Sequence, residues 1–174
     1  LQSVGCDVID AGLAPTPTAL FTIRHHQAQG GIVVTASHNP VEWNALKLAF
    51  RSGMFLDADE AAGMRVFLDE RAISWASWDR LGNVSTDSGA VQRHLDAVLS
   101  VPFVDVASLR RCRFKVALDC VLGAGGVLLP PLLDALGCEV VALGLEPDGR
   151  FPREPEPIAA NLGDLERLVR EEHA

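Results

Sequence analysis

Apolar and polar positions along this chain follow two rhythms, one of period two and one near 3.6, and they alternate. Gly31-Ile32-Val33-Val34-Thr35-Ala36 is a short β-branched run that reads as a buried strand. It stops at Ser37-His38-Asn39-Pro40, where proline cannot continue a ladder. Upstream, Asp7 to Asp10 has the look of a strand tail. Thr16-Pro17 has the form of an N-cap followed by proline at the first helical position, so a helix is expected from there to about Gln29, ended by Gly30-Gly31. Strand, helix and strand form a β-α-β unit, for which parallel strands and a right-handed crossover are expected. Asn44 to Phe50 reads as a further strand, closed by the turn residues Arg51-Ser52-Gly53. Asp57 to Glu60 has the pattern of a capping box, and the helix beyond it carries Met64, Phe67 and Leu68 on one face. After a polar stretch from Gly82 to Gly89, Val91, Leu95, Val98 and Leu99 recur at helical spacing.

Residues 102–113 predict a linker: Pro102 breaks the helix, and Arg110, Arg111 and Arg113 cluster. A second strand-helix-strand unit follows. Val116 to Val121 is a strand, Gly123 to Gly126 a tight turn, Val127 to Leu136 a helix stopped by Gly137, and Glu139 to Leu143 a strand. Glu146 to Ala160 is an irregular proline-rich loop, and Leu162, Leu165, Leu168 and Val169 mark a last helix. The expected fold class is α/β. A mixed, mostly parallel sheet flanked by helices fills residues 1–101, and a partial second α/β domain fills 114–174.

Composition narrows the function classes. At 174 residues the chain allows one domain or one and a fraction, and a hydrophobic content of 48% is ample for a core. No apolar run is long enough to span a bilayer, and no signal peptide is visible, so a cytoplasmic protein without a membrane partner is expected. A net charge of −8 argues against nucleic acid as a partner, although a few local cations suffice for a phosphorylated one. Cys6, Cys112, Cys120 and Cys138 have no metal-binding spacing, and the adjacent His25 and His26 point in different directions on a helix, which disfavours a shared metal.

The chemistry concentrates at Ser37. In open α/β sheets ligands gather at the carboxyl ends of strands, and a hydroxyl there sits on a rigid element facing solvent. By itself Ser37 also reads as a plain turn residue. Thr35-Ala36-Ser37-His38-Asn39-Pro40, the spacer Val41-Glu42-Trp43 and Asn44-Ala45-Leu46-Lys47 together resemble the phosphoserine loop of the α-D-phosphohexomutases, the phosphoglucomutase, phosphomannomutase and phosphoglucosamine mutase family. Ala45 stands where that motif has glycine. Val116 to Gly125 and Gly149 to Pro157 resemble two further stretches of the same family, so the resemblance runs through nearly the whole chain while the chain covers less than half of the family's length.

The resemblance implies an enzyme that moves a phosphoryl group between the 1- and 6-positions of a hexose phosphate, through a phosphoserine and a bisphosphate intermediate. The sugar is phosphoglucosamine, phosphomannose or phosphoglucose; nothing in this stretch selects among them. Ser37 is then the phosphoryl carrier. Lys47, read from sequence as either a solvated strand residue or a group aimed at the phosphate, becomes a catalytic candidate, as does His38, which either braces the loop or donates to the phosphate. Thr35, Ala36, Asn39 and Pro40 support the loop. The implied cofactor is Mg2+, held in part by the phosphate on Ser37 and otherwise by ligands outside these residues. The implied partners are a hexose phosphate and the remaining domains of the same protein, without which these residues are expected not to catalyse. The competing readings are a non-catalytic α/β module that keeps the serine loop and, less favoured, a serine-dependent phosphatase. Gly123 to Gly126 lacks the Lys-Ser or Lys-Thr of a Walker loop and reads as a turn. Arg150 and Arg153 are surface charges or cleft residues.

Overall fold

The fold is described from a computed structural model that covers residues 1–40, 42–70 and 73–174. Strand β1 (Val8–Asp10) leads into helix α1 (Thr16–His25), followed by β2 (Gly30–Val34), β3 (Leu46–Phe50), α2 (Ala58–Asp69), β4 (Val84–Thr86) and α3 (Ala90–Leu99). The second half contains α4 (Val106–Cys112), β5 (Lys115–Asp119), α5 (Leu129–Ala135), β6 (Glu139–Leu143) and α6 (Gly163–Glu172). The architecture is α/β, as expected. Two of the strand pairs, β1–β4 and β5–β6, are parallel, and β2–β3 is antiparallel. Among the described residues no helix is long and apolar enough to cross a membrane.

The expected β1-α1-β2 pairing does not form. β1 pairs with β4, Val8 opposite Val84 and Asp10 opposite Thr86, while β2 pairs with β3, Gly30 opposite Phe50 and Val34 opposite Leu46. β4 lies inside the stretch read from sequence as merely polar. Val84-Ser85-Thr86 is short and largely hydroxylic, but two of its residues are β-branched and suit a pleated ladder.

Two details of α1 also correct the sequence reading. The N-cap is Pro15, not Thr16; its backbone is extended, and its carbonyl accepts the Thr18 N–H at 2.9 Å. The helix ends at His25, because Gln27 enters the left-handed region (φ 51) and the Ala28 N–H returns to the Ile23 carbonyl at 2.9 Å. Gly30 and Gly31 therefore do not stop a helix; they open β2. Their lack of a side chain lets α1 and β3 approach: a Cβ on Gly31 would lie 2.8 Å from Ile23 Cγ1, and one on Gly30 would lie 2.9 Å from the Ala49 carbonyl.

The core of the first half is this contact. Thr18, Thr22, Ile23, Ala49, Ala90 and Leu95 are buried; α1 packs on β2 and α3, and β3 pairs with β2. Thr22 Oγ1 satisfies itself on the Thr18 carbonyl at 2.8 Å, and Thr18 Oγ1 lies 2.9 Å from His94 Nδ1. At the end of α1, His26 Nε2 lies 2.7 Å from Asp87 Oδ2, which also pairs with Arg93. The His26 hydrogen bond, with the Arg93 contacts and the Gly89 N–H, outweighs burial and holds the Asp87 carboxyl at about 2, below the usual 3.8.

Asp57 caps α2 as the sequence predicts: its carboxylate accepts from the Asp59 and Glu60 N–H groups, and Glu60 reaches back to the Asp57 N–H. The segment read as a linker contains α4. Asp105 caps it through Ser108, and Arg110 Nε donates to the Ala135 carbonyl at 2.7 Å, tying α4 to the end of α5. A proline and three arginines suggest coil in isolation, but an aspartate N-cap and cations in the last turn favour a short helix.

Candidate active site

The β2–β3 ribbon fixes where the serine loop begins. Its last bond runs from the Thr35 N–H to the Ala45 carbonyl at 2.9 Å, one step beyond the Val34–Leu46 pair. The chain then turns sharply. Ser37 adopts φ 57, a left-handed conformation uncommon for a residue with a side chain. Its N–H donates to Thr35 Oγ1 at 3.0 Å. Asn39 closes the turn twice on the Ala36 carbonyl, with its backbone N–H at 3.0 Å and its amide Nδ2 at 2.9 Å. The Pro40 carbonyl accepts the Trp43 N–H at 3.0 Å. The loop thus keeps its polar groups paired internally and leaves Ser37, His38 and Asn39 exposed, with Thr35, Ala36 and Pro40 half-buried.

Ser37 Oγ sits 3.3 Å from His38 Nδ1. An exposed hydroxyl beside an imidazole, on a turn pinned at both sides, is an arrangement able to exchange a proton and to carry an acyl or phosphoryl group. Lys47 stands opposite Val33 on the same ribbon, and its Nζ lies 5.8 Å from the centre of the Phe55 ring. Among the described residues Lys47 makes no hydrogen bond to Ser37 or His38. Structure therefore groups Thr35, Ala36, Ser37, His38 and Asn39 directly, and links Lys47 to them through the β2–β3 ladder. Val41, in the spacer of the motif, lies outside the described residues. Among those residues no set of three or more His, Cys, Asp or Glu could hold a metal ion. One hydroxyl, one imidazole and one amide fall short of the oxygen shell that Mg2+ requires, so the chain's own side chains do not fit that ion unaided.

Sequence reasoning grouped Thr35 with the loop without seeing its task. The Thr-x-Ser spacing, in which a hydroxyl accepts an N–H two residues on, is the signal that identifies it. It also left Arg153 as a surface or cleft charge. In the structure Arg153 is an ion-pair partner of Asp119 at the end of β5, with Nη1 also donating to the Glu154 carbonyl at 2.8 Å. The other Asp119 oxygen accepts the Val121 N–H at 2.9 Å, and Val121 and Leu122 both have positive φ, 51 and 54. Gly123 to Gly126 is a turn running into a short 3-10 segment. The Arg150 backbone N–H donates to Asp148 Oδ1 at 2.7 Å.

Comparison with known proteins covers both halves of the chain. Residues 1–70 match the profile of phosphoglucomutase/phosphomannomutase alpha/beta/alpha domain I, and residues 92–174 match that of domain II. A "Probable phosphoglucosamine mutase" of Methanococcoides burtonii is 36% identical over 98% of the chain and 38% of its own length. A phosphoglucomutase/phosphomannomutase of Thermococcus kodakarensis is 39% identical over 98% of the chain and 37% of its own length. Among solved structures, a phosphoglucomutase/phosphomannomutase family protein from Burkholderia thailandensis superposes with a TM-score of 0.71 at 25% identity, covering 98% of this chain and 36% of that one. The chain thus spans a little over a third of the length of these relatives. With two successive domain profiles in order, it belongs to the phosphoglucomutase/phosphomannomutase family.

Proposed function

We propose that this chain is the serine-bearing part of a hexose-phosphate mutase, in which Ser37 carries the phosphoryl group. The observation that supports this reading is the exposed Ser37 hydroxyl, held in a left-handed turn by Thr35 and set beside His38. In the forward half-reaction the bond between phosphorus and Ser37 Oγ breaks as a bond to a sugar hydroxyl oxygen forms, and the hydroxyl proton passes to a nearby base. In the return half-reaction Ser37 Oγ takes the other phosphate back from the bisphosphate. His38 Nδ1 is placed to exchange the serine proton, and the Lys47 ammonium offsets phosphate charge. Thr35, Ala36, Asn39 and Pro40 hold the turn. Phosphate on Ser37 would supply Mg2+ with oxygen, and polypeptide outside these residues would complete the shell, the ion contributing charge neutralisation. A sugar-phosphate substrate and a cytoplasmic setting go with this reading.

The test is Ser37→Ala in the full-length protein. Conversion of glucose, mannose and glucosamine 1-phosphates to their 6-phosphates should fall on the order of a thousandfold or more, with the far-UV spectrum unchanged. Mass spectrometry of the wild type should find phosphate on the Ser37 peptide. Turnover near the wild-type rate in the variant would refute the assignment. Net release of inorganic phosphate in place of isomerisation would favour the phosphatase reading.

A further inference from the structure

We propose, on the reading of Lys47 as the cation that offsets phosphate charge, that Phe55 is its positioning residue: the ring seats the ammonium without neutralising it. The two lysines of the chain, Lys47 and Lys115, hold their charge in different ways. Acidic residues outnumber basic ones, 23 to 15, so ion pairing is the ordinary fate of a cation here. Lys115 follows it: Nζ lies 2.9 Å from Glu172 Oε2 and 3.4 Å from Glu139 Oε1. Its charge is taken up in tying β5 to α6 and β6. Among the described residues no carboxylate lies within ion-pair distance of Lys47. Its Nζ instead lies 5.8 Å from the centre of the Phe55 ring.

The backbone brings this about. After β3 the chain reverses: the Gly53 N–H donates to the Phe50 carbonyl at 2.9 Å, the Phe50 N–H to the Met54 carbonyl at 2.9 Å, and the Leu56 N–H to the Leu48 carbonyl at 3.3 Å. Ala49 and Phe55 stand opposite each other across this reversal. Opposed residues in an antiparallel pair share a face, so Phe55 lies on the diagonal from Lys47, within reach of a long side chain. The same register carried one pair further sets Asp57 directly across from Lys47. Its carboxylate is engaged elsewhere, accepting the Asp59 and Glu60 N–H groups as the N-cap of α2. The ring therefore meets the ammonium where an anion would otherwise have done so.

A ring face attracts an ammonium through its quadrupole and carries no net charge. Phe55 is 45% exposed, which sets the attraction at the weak end of its range. Such a seat narrows the wandering of a flexible four-carbon stem. It also yields to phosphate, whose charge of about −1.5 to −2 on a serine makes much the stronger partner. A carboxylate in the same place would compete with that phosphate.

The experiment uses the full-length protein and two readouts. The first is a proton–carbon spectrum with lysine labelled at the ε-carbon, in which the Lys47 signal is the one that Lys47→Met removes. The Phe55 ring should shift that signal upfield, Phe55→Leu should abolish the shift, and Phe55→Trp should keep it. The second is conversion of glucose, mannose and glucosamine 1-phosphates. Phe55→Leu should lower turnover about two- to fivefold and Phe55→Trp should restore it. Phe55→Glu should lower it about tenfold or more. In the Lys47→Met background Phe55→Leu should have no further effect. The proposal is overturned if the Lys47 signal is the same in Phe55→Leu as in the wild type, if Phe55→Trp falls as far as Phe55→Leu, if Phe55→Glu is no worse than Phe55→Leu, or if Phe55→Leu costs as much turnover without Lys47 as with it. Unchanged turnover in Lys47→Met refutes the reading of Lys47 and the role of Phe55 with it. A fall in Lys47→Met with none in Phe55→Leu overturns the role of Phe55 alone.

Discussion

Gly31→Ala is a sharp test of how the serine-bearing strand is seated. The new Cβ would meet Ile23 Cγ1 at 2.8 Å and Cδ1 closer still. Ile23 is buried, and a β-branched side chain in a helix has essentially one rotamer in which to stand. Overpacking of this kind costs about 1–3 kcal/mol. Replacing glycine in a strand returns about 0.5–1 kcal/mol of backbone entropy. The net expectation is a loss of about 1–2 kcal/mol. Ile23→Val removes Cδ1 and should alone cost about 0.5–1.5 kcal/mol. In the double variant the removed carbon makes room for the added one, so the combined loss should fall short of the sum by about 1 kcal/mol. Trp43, Trp75 and Trp78 all lie in the first 101 residues, so tryptophan fluorescence in a urea titration reads this half of the chain. A neutral or stabilising Gly31→Ala, or strictly additive losses, would refute the close seating of α1 on β2.

Two further outcomes follow from particular contacts. Asp87 titrates at about 2 in the folded chain against 3.8 unfolded, so its contribution, up to about 2 kcal/mol, is present above pH 4 and is lost as pH falls through 2; the urea midpoint should drop over that interval, and Asp87→Asn should flatten the drop, a parallel pH profile in the variant contradicting the assignment. Lys47→Met keeps the stem over Phe55 and removes the charge, so in the full-length protein mutase turnover should fall about ten- to hundredfold with little change in the urea midpoint, and unchanged turnover would remove Lys47 from the chemistry.

Much of the local structure was legible because local rules determined it. The capping box at Asp57, the β-branched run of β2 and the left-handed glycine at 137 need only nearby residues. What was misread depended on distant ones. Gly30-Gly31 has the form of a helix stop, and only the arrival of Ile23 and Ala49 explains two glycines inside a strand. Val84-Ser85-Thr86 becomes a strand because β1 lies beside it. Arg153 gains its role from Asp119, thirty-four positions earlier. At the serine loop the residue types were readable, and the left-handed turn at Ser37 was not, since serine does not advertise positive φ as glycine does.

The bonds inside that loop have one more property. Thr35 to Ser37, Ala36 to Asn39 and Ser37 to His38 each close within three positions along the chain. Contacts of such short sequence separation carry little loop-closure entropy and form early and independently of the slower long-range pairing. The geometry around Ser37 is therefore expected to be insensitive to damage elsewhere. A substitution that weakens the α1–β2 contact changes how many molecules are folded, and those that are folded should present the same serine. Loss of activity from core substitutions should accordingly track the quantity of native protein, with the rate per native molecule unchanged.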